Sequence, residues 1–303
     1  MSGMSGMSDA GESAWVVAVD VGGTHTRVAL ARTTDGVVVA VAEFRTELGY
    51  PAQLARLAEA VADAGRRAHG PLAGIGVSLG GRIARDGSGV EVAPNLRVYE
   101  GRPLVQQMSE RCGGLPVRLA HDAVCGLLAE RWLGALVGVE RCAYLTLSTG
   151  TGCAVHLEAQ GSGTGVTLSI ELGHQLLDHN QRACLCGQVG CLETYTGGRQ
   201  LALRYSQPIE TLPEAEQADL WRAFVEKLSL GLVNLAHLTR VERVAVGGAI
   251  ALNHPALLPA LSAAVDARLR NARLDMAPAT LGAQAPLVGA AALLTTPSAE
   301  LAH

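Results

Sequence analysis

Between residues 171 and 193 the chain gathers His174, Cys184, Cys186 and Cys191. The cysteines are spaced C-x-C-x4-C, and Gly187 and Gly190 turn the loop between them. One imidazole and three thiolates make a closed Cys3His set, the usual donor complement of a structural, tetrahedral zinc site. Glu171 and Glu193 bracket these ligands. Folding the segment around a metal would bring two carboxylates to one place. The spacing therefore predicts a zinc-stapled loop, residues 174–193, that positions binding groups rather than a metal that does chemistry itself.

Three glycine turns come next: Asp20-Val21-Gly22-Gly23-Thr24, Thr149-Gly150-Thr151-Gly152 and Gly247-Gly248-Ala249-Ile250, each after a short apolar run. Such a turn lets backbone N–H groups approach phosphate oxygens, while its hydroxyls and carboxylate can engage phosphate and a metal-bound water. A single one is equally a hairpin turn. Three together argue for a nucleotide held between two domains. None is a P-loop, which needs a lysine, and Lys227 is the only lysine in the chain. Asp122 closes a predicted strand and opens a predicted helix, a position that suits a helix N-cap as well as a general base.

The elements that must position these groups follow from periodicity. Short apolar, β-branched runs predict a meander of strands over 14–21, 25–32 and 37–44. A helix over 51–69, a strand over 73–79, a helix near 103–112, a strand over 117–120 and a helix from 122 to 133 follow. The pattern then restarts: strands over 142–147 and 153–158 flank the second glycine turn, which predicts two related halves. After the metal loop the chain reads as helical. It has a long amphipathic stretch over 213–238, a strand over 243–246 and a closing Ala- and Leu-rich helix after Pro286.

A length of 303 residues fits about two domains. Hydrophobic residues make up 49% against only three Trp, five Tyr and two Phe, so the core must be aliphatic. A net charge of -4 gives no reason to expect nucleic acid or an anionic membrane as partner. No apolar run approaches the ~20 residues of a membrane span. Residues 1–13 lack the regions of a signal peptide and read as a disordered leader. Cys112, Cys125, Cys142 and Cys153 read as buried thiols rather than disulfides, and a cytoplasmic protein is expected.

On these residues the chain resembles the ROK family, named for repressors, open reading frames and kinases, which contains many bacterial sugar kinases. Asp20-Val-Gly-Gly-Thr24 is similar to its first phosphate motif, Thr149-Gly-Thr-Gly152 to its second, and Gly247-Gly248 to its adenosine turn. Glu171-Leu-Gly-His174 and the run from Cys184 to Glu193 match the family signature almost letter for letter, and Val288-Gly289-Ala290-Ala291 also fits. The resemblance implies an α/β, actin-like ATPase (ribonuclease H-like) fold with ATP and sugar in a central cleft. Residues 14–122 would form the N-terminal domain and 123–286 the C-terminal one, with a helix over 287–303 packing back on the first. It further implies Asp122 as general base on a hexose 6-hydroxyl, with Asn95, His121, Glu171, His174 and Glu193 holding sugar hydroxyls. His174, Cys184, Cys186 and Cys191 would bind structural zinc. Asp20 would anchor Mg²⁺ brought with ATP, and a homodimer is expected.

The chain departs from the family pattern in two places. The usual Asn-Asp-Ala-Asn at the base is His121-Asp122-Ala123-Val124, and the usual Pro-Gly after the fourth strand is Leu79-Gly80-Gly81. Histidine changes the donor–acceptor pattern on the C3–C4 side of the sugar, so the substrate is either glucose or a C3/C4-modified glucose such as kanosamine. A repressor of the same family would need a helix-turn-helix before the first turn. About nineteen residues precede Asp20, mostly Gly, Ser, Met and Ala, so a kinase is the expectation. A non-catalytic sugar-binding protein is the third reading, against which Asp122 and both phosphate turns argue.

Overall fold

The computed structural model describes residues 14–159, 161–177, 180–207 and 209–302; the leader expected over 1–13 lies outside the described residues. β1 (Trp15–Val21), β2 (His25–Arg32) and β3 (Val38–Arg45) form an antiparallel meander, and α1 (Tyr50–Arg67) follows. β4 (Leu72–Leu79) pairs in parallel with β1, and the small ribbon of β5 (Arg82–Ile83) and β6 (Val90–Val92) follows it. After α2 (Leu104–Arg111), β7 (Val117–His121) pairs in parallel with β4 and completes the order β3-β2-β1-β4-β7.

The second half repeats this plan. α3 (Asp122–Leu133) leads into the antiparallel meander β8 (Arg141–Leu147), β9 (Thr151–Glu158) and β10 (Gly165–Ile170). Beyond the cysteine loop come α4 (Glu193–Thr196), α5 (Gly198–Tyr205) and α6 (Glu214–Thr239). β11 (Arg243–Gly247) runs parallel to β8. After α7 (Ala249–Asn253) and α8 (Leu257–Asp266), β12 (Asp275–Pro278) runs parallel to β11. α9 (Ala285–Ala292) and β13 (Leu301–Ala302) finish the chain, and the sheet order is β12-β11-β8-β9-β10-β13. Each sheet is thus a three-stranded meander whose first strand carries two further parallel strands, and the second sheet adds β13 beyond β10. This duplicated α/β plan is the actin-like one.

Alternation along β1 assigns its two faces. Val17, Val19 and Val21 pack with Leu54, Leu57 and Val61 of α1, while Val16 and Ala18 pack with Leu127 of α3 and Ala290 and Ala291 of α9. The second group also contains Tyr144, Ala154 and Ala245 from the other sheet, so α3 and α9 lie between the two sheets. Small residues let them approach at backbone distance. A Cβ on Gly289 would stand 1.7 Å from the Cys125 carbonyl oxygen, and one on Gly76 would stand 1.7 Å from that of Ala290. Glu130, fully buried in α3, accepts from the backbone N–H groups of Ala135, Thr280 and Leu281 and from the Thr280 hydroxyl, tying α3 to the chain entering α9. Cys125, Cys142 and Cys153 are buried free thiols and Cys112 is half-buried. No helix among the described residues is long and apolar enough to cross a membrane.

The chain end corrects one expectation. The helix expected over 287–303 stops at Ala292, and Leu301–Ala302 instead join β10 as a strand. Pro297 disfavours helical backbone at Thr296, and the Ala292 carbonyl collects the N–H groups and hydroxyls of both Thr295 and Thr296, which closes the helix. α9 itself does pack on β1, β2 and β4. β10 and β12 were also not expected as strands; β12 is an edge strand ending in Pro278, where sequence signals are weak.

Gly289→Ala tests the α3–α9 contact. An alanine in a helix is ordinarily better than glycine by ~1 kcal/mol, but here the methyl overlaps a backbone carbonyl. The variant is expected to lose ~3 kcal/mol by urea unfolding; wild-type stability would show that the two helices are not in close contact.

Candidate functional site

The glycine turns stand at strand ends. In the first, between β1 and β2, the Gly22 N–H donates to the His25 carbonyl at 3.0 Å, and the Thr46 hydroxyl donates to the Gly22 carbonyl at 2.7 Å. In the second, between β8 and β9, Ser148 N–H donates to the Gly150 carbonyl at 3.0 Å. Glu193, first residue of α4, accepts from the Thr151 N–H at 2.8 Å, and its carboxylate would meet any Cβ on Gly150 at 2.8 Å. The third turn ends β11: Gly248 has φ +91°, and a Cβ there would lie 2.3 Å from the Leu147 carbonyl oxygen, so only glycine fits.

Asp20, near the end of β1, does not stand free. Its cross-strand partner on β2 is Arg27, whose Nε and Nη2 donate to Oδ2 at 3.1 and 2.6 Å, and the Ser78 hydroxyl donates to Oδ1 at 3.2 Å. Arg27 Nη1 also donates to the Ala283 carbonyl ahead of α9. Burial pushes the Asp20 carboxyl up, and the nearby Asp122 charge adds to that; Arg27 and Ser78 pull it down without cancelling the shift.

Asp122 opens α3 where β7 ends, and the helix N-cap is His121 rather than Asp122. Asp122 Oδ1 accepts from the Ala123 N–H at 2.7 Å and lies 3.0 Å from His121 Nδ1, which is itself 3.1 Å from the same N–H. Burial pushes the Asp122 carboxyl up, but the His121 charge and hydrogen bonds from His121 and Ala123 outweigh it and hold the group below its ordinary value. Burial would lower His121, and Asp122 first and Glu171 second outweigh that and raise it. The Asp122 side chain keeps 43% of its surface open, so it remains accessible to a ligand. Gly80 leaves space on the other side, where a Cβ would sit 3.4 Å from Oδ2. Gly152 of the second turn backs His121, with a hypothetical Cβ 3.6 Å from its Cε1. The charge of Asp122 acts on Asp20 and that of Glu171 acts on His121, so these four groups are neighbours.

The cysteine loop closes on itself through isolated bridges between Leu176 and Cys191 and between Ala183 and Val189. Gly187 and Gly190 take φ +94° and +90°, the left-handed conformation the loop needs. One ligand atom each from His174, Cys184, Cys186 and Cys191 lies within 4.8 Å of the others. Cys186 and Cys191 Sγ are 3.7 Å apart, as are His174 Nδ1 and Cys184 Sγ. A tetrahedron with ~2.3 Å metal–sulfur bonds has edges of about 3.8 Å, so the donor set fits a metal ion of that geometry. Burial pushes the Cys184 and Cys191 thiols up, and their neighbouring cysteines push Cys191 further. A cation among them would oppose that shift and favour the thiolates. With Nδ1 toward the sulfurs, His174 keeps Nε2 on the Glu171 side, 3.9 Å from Oε2.

Asn95, on the loop after β6, lies beside Gly23 and accepts through Oδ1 from Arg199 Nη1. Arg199, Arg27 and Ser78 escaped the sequence reading. Arg27 was recoverable, since counting back from the first glycine turn places it opposite Asp20. Arg199 and Ser78 carried no such signal.

A family model described as ROK matches residues 16–296. The kanosamine kinase of Amycolatopsis mediterranei is 28% identical over 294 residues, covering 91% of this chain and 94% of that protein. The glucokinase of Thermotoga maritima is 33% identical over 184 residues, covering 59% of this chain and 56% of that one. A putative xylose repressor of Caldicellulosiruptor is 31% identical over 173 residues, covering 57% of this chain and 42% of the repressor. The chain therefore spans about half the length of the last two. Among solved structures, the ROK hexokinase from Thermus thermophilus superposes with a TM-score of 0.72 at 29% identity, covering 92% of this chain and 97% of that one. A ROK family glucokinase from Streptomyces griseus shares the fold at a TM-score of 0.75 and 24% identity, covering 92% and 98%.

Cys186→Ser removes one of the four donors. It is expected to lower bound metal, read by elemental analysis, together with the thermal midpoint. A variant that is metal-free yet as stable as a metal-loaded parent would show that the cluster is not a structural metal site.

Proposed function

The chain belongs to the ROK family, and we propose that it is a sugar kinase that transfers the γ-phosphoryl group of ATP to the 6-hydroxyl of a hexose or amino-hexose. The observation that carries this reading is the placement of Asp122. Its carboxylate stands open where β7 ends and α3 begins, and His121 and Ala123 hold it ionised. Oδ1 is taken by the Ala123 N–H and His121, so Oδ2 is the oxygen left to accept the hydroxyl proton. As that proton passes to Asp122, the sugar oxygen bonds the γ-phosphorus and the bond to the β-phosphate oxygen breaks.

In this reading the backbone of Gly22, Gly23 and Thr24 and of Thr149 through Gly152 holds the phosphates, and Gly247-Gly248 lies against the adenosine. Magnesium arriving with ATP would offset phosphate charge. Asp20 would hold it through a water at Oδ1, which accepts only from the Ser78 hydroxyl, because Oδ2 takes both Arg27 nitrogens. Asn95, His121, Glu171, His174 and Glu193 would meet the sugar, and the Cys3His cluster would hold zinc that fixes His174 and the Glu171 to Glu193 segment. His121 Nδ1 is occupied by its neighbours, which leaves Nε2 for the substrate. The full-length similarity to a kanosamine kinase supports a 3-amino sugar as substrate, and glucose is the alternative. A cytoplasmic homodimer is the working form we propose. A sugar-responsive repressor is the rival, supported by the xylose repressor match.

ADP release with MgATP and glucose, kanosamine, glucosamine, mannose or N-acetylglucosamine tests the reading. One sugar is expected to lead by kcat/KM, and Asp122→Asn to lower its turnover about 10²- to 10⁴-fold. Sugar binding without ADP release would reject the kinase and favour the regulator.

The His121–Asp122 pair predicts a pH effect. As pH rises through the His121 pKa, held above its ordinary ~6.5, the positive charge that weakens Asp122 as a base disappears. Turnover should therefore rise through an inflection there, and His121→Asn should erase it. An unchanged profile in that variant would uncouple the imidazole from the base.

A further inference from the structure

Arg199 links the second glycine turn to the first by way of Asn95. Its backbone N–H donates to the Thr149 carbonyl at 2.9 Å, and the preceding Gly198 N–H donates to the Ser148 carbonyl at 2.8 Å, so the start of α5 is pinned to the second turn. Its guanidinium reaches Asn95 Oδ1, and Asn95 lies beside Gly23, with a hypothetical Gly23 Cβ 3.7 Å from Asn95 Cβ. The line Gly23, Asn95, Arg199, Thr149 therefore runs from one half of the molecule to the other through one side-chain pair.

The chemistry of that pair decides what Asn95 offers. Guanidinium has five N–H donors and no acceptor. Whichever way the amide is drawn, the atom facing Arg199 must be the oxygen. We infer that Arg199 is a positioning residue for Asn95, holding its Oδ1 so that the Nδ2 hydrogens are presented to the sugar as donors when the halves close. The inference rests on the proposal that a hexose sits beside Asn95. It goes further by giving the contact a direction: with Oδ1 engaged by Arg199, the donor end of the amide is turned to the sugar, so the group there is an acceptor such as a hydroxyl oxygen, and the guanidinium charge disfavours an ammonium. It also makes that contact depend on a residue from the opposite half.

Calorimetric titration of glucose and kanosamine into the wild-type chain and into Arg199→Met, Asn95→Ala, the double variant and Asn95→Asp tests this without requiring turnover. Each single substitution is expected to raise the sugar Kd about ten- to a hundredfold, with thermal midpoint and nucleotide affinity unchanged. The double variant should be no weaker than the worse single one, because the two residues act as one unit. Arg199→Lys should restore part of the affinity. Asn95→Asp is the decisive arm: its carboxylate would pair with Arg199 more strongly but has no N–H to give, so sugar binding should fall. Asn95→Asp binding as well as wild type, or Arg199→Met binding normally while Asn95→Ala does not, would overturn the inference. Wild-type binding of neither sugar would overturn it along with the sugar site. Wild-type binding without ADP release would reject the kinase reading alone and leave these comparisons decisive.

Discussion

The packing of α3 and α9 between the two sheets is the constraint on which the rest depends. Both helices contribute to a cluster drawing on β1 and β2 from one sheet and β8, β9 and β11 from the other. At Gly289 and Gly76 helix and strand backbones approach so closely that no side-chain carbon fits. Glu130 adds a buried carboxylate with four protein donors, which holds the entry to α9 against the end of α3. Satisfied in this way a buried charge is tolerable; losing any donor would leave it exposed to the low dielectric around it. Asp122 opens α3, so the position of the proposed base is set by the same contact that joins the halves.

The polar groups of the candidate site are already engaged with one another and with the backbone. Asp20 is bonded to Arg27 and Ser78, Glu193 to the Thr151 N–H, Asn95 to Arg199, and Asp122 to Ala123 and His121. Each bond removes a rotamer from the side chain and commits one of its atoms, leaving the remaining atom with a defined role. A sugar and a nucleotide would meet atoms already aimed rather than flexible carboxylates. The cost of ordering them falls on folding and not on binding.

The cysteine loop serves the same end by a different route. Among the described residues of this loop, 172–177 and 180–192, regular structure amounts to one turn of 3-10 helix and two isolated bridges. Glu171 enters this segment and Glu193 leaves it as the start of α4. A four-donor metal cluster at its centre would add rigidity to the segment between the two carboxylates. His174 spans the two regions, since one ring nitrogen lies at the sulfurs and the other on the Glu171 side.

Local sequence determined much of this protein. The first meander, α1, α3 and the long helix α6 were legible because hydrophobic period and turn residues act over a few neighbours. The cysteine cluster was legible because its donor types and spacing are uncommon, and the glycine turns because each ends an apolar strand. The edge strands β12 and β13 were not, because a short strand at a sheet margin is defined by the strand it joins; β13 depends on β10, more than a hundred residues away. The same reason hid Arg199, an ordinary surface residue in sequence that acquires its meaning from Asn95, 104 positions distant. Tertiary structure alone decided which oxygen of each carboxylate is free and which halves share a side-chain bond, since hydrogen-bond partners are fixed by distance in space and only secondarily by order along the chain.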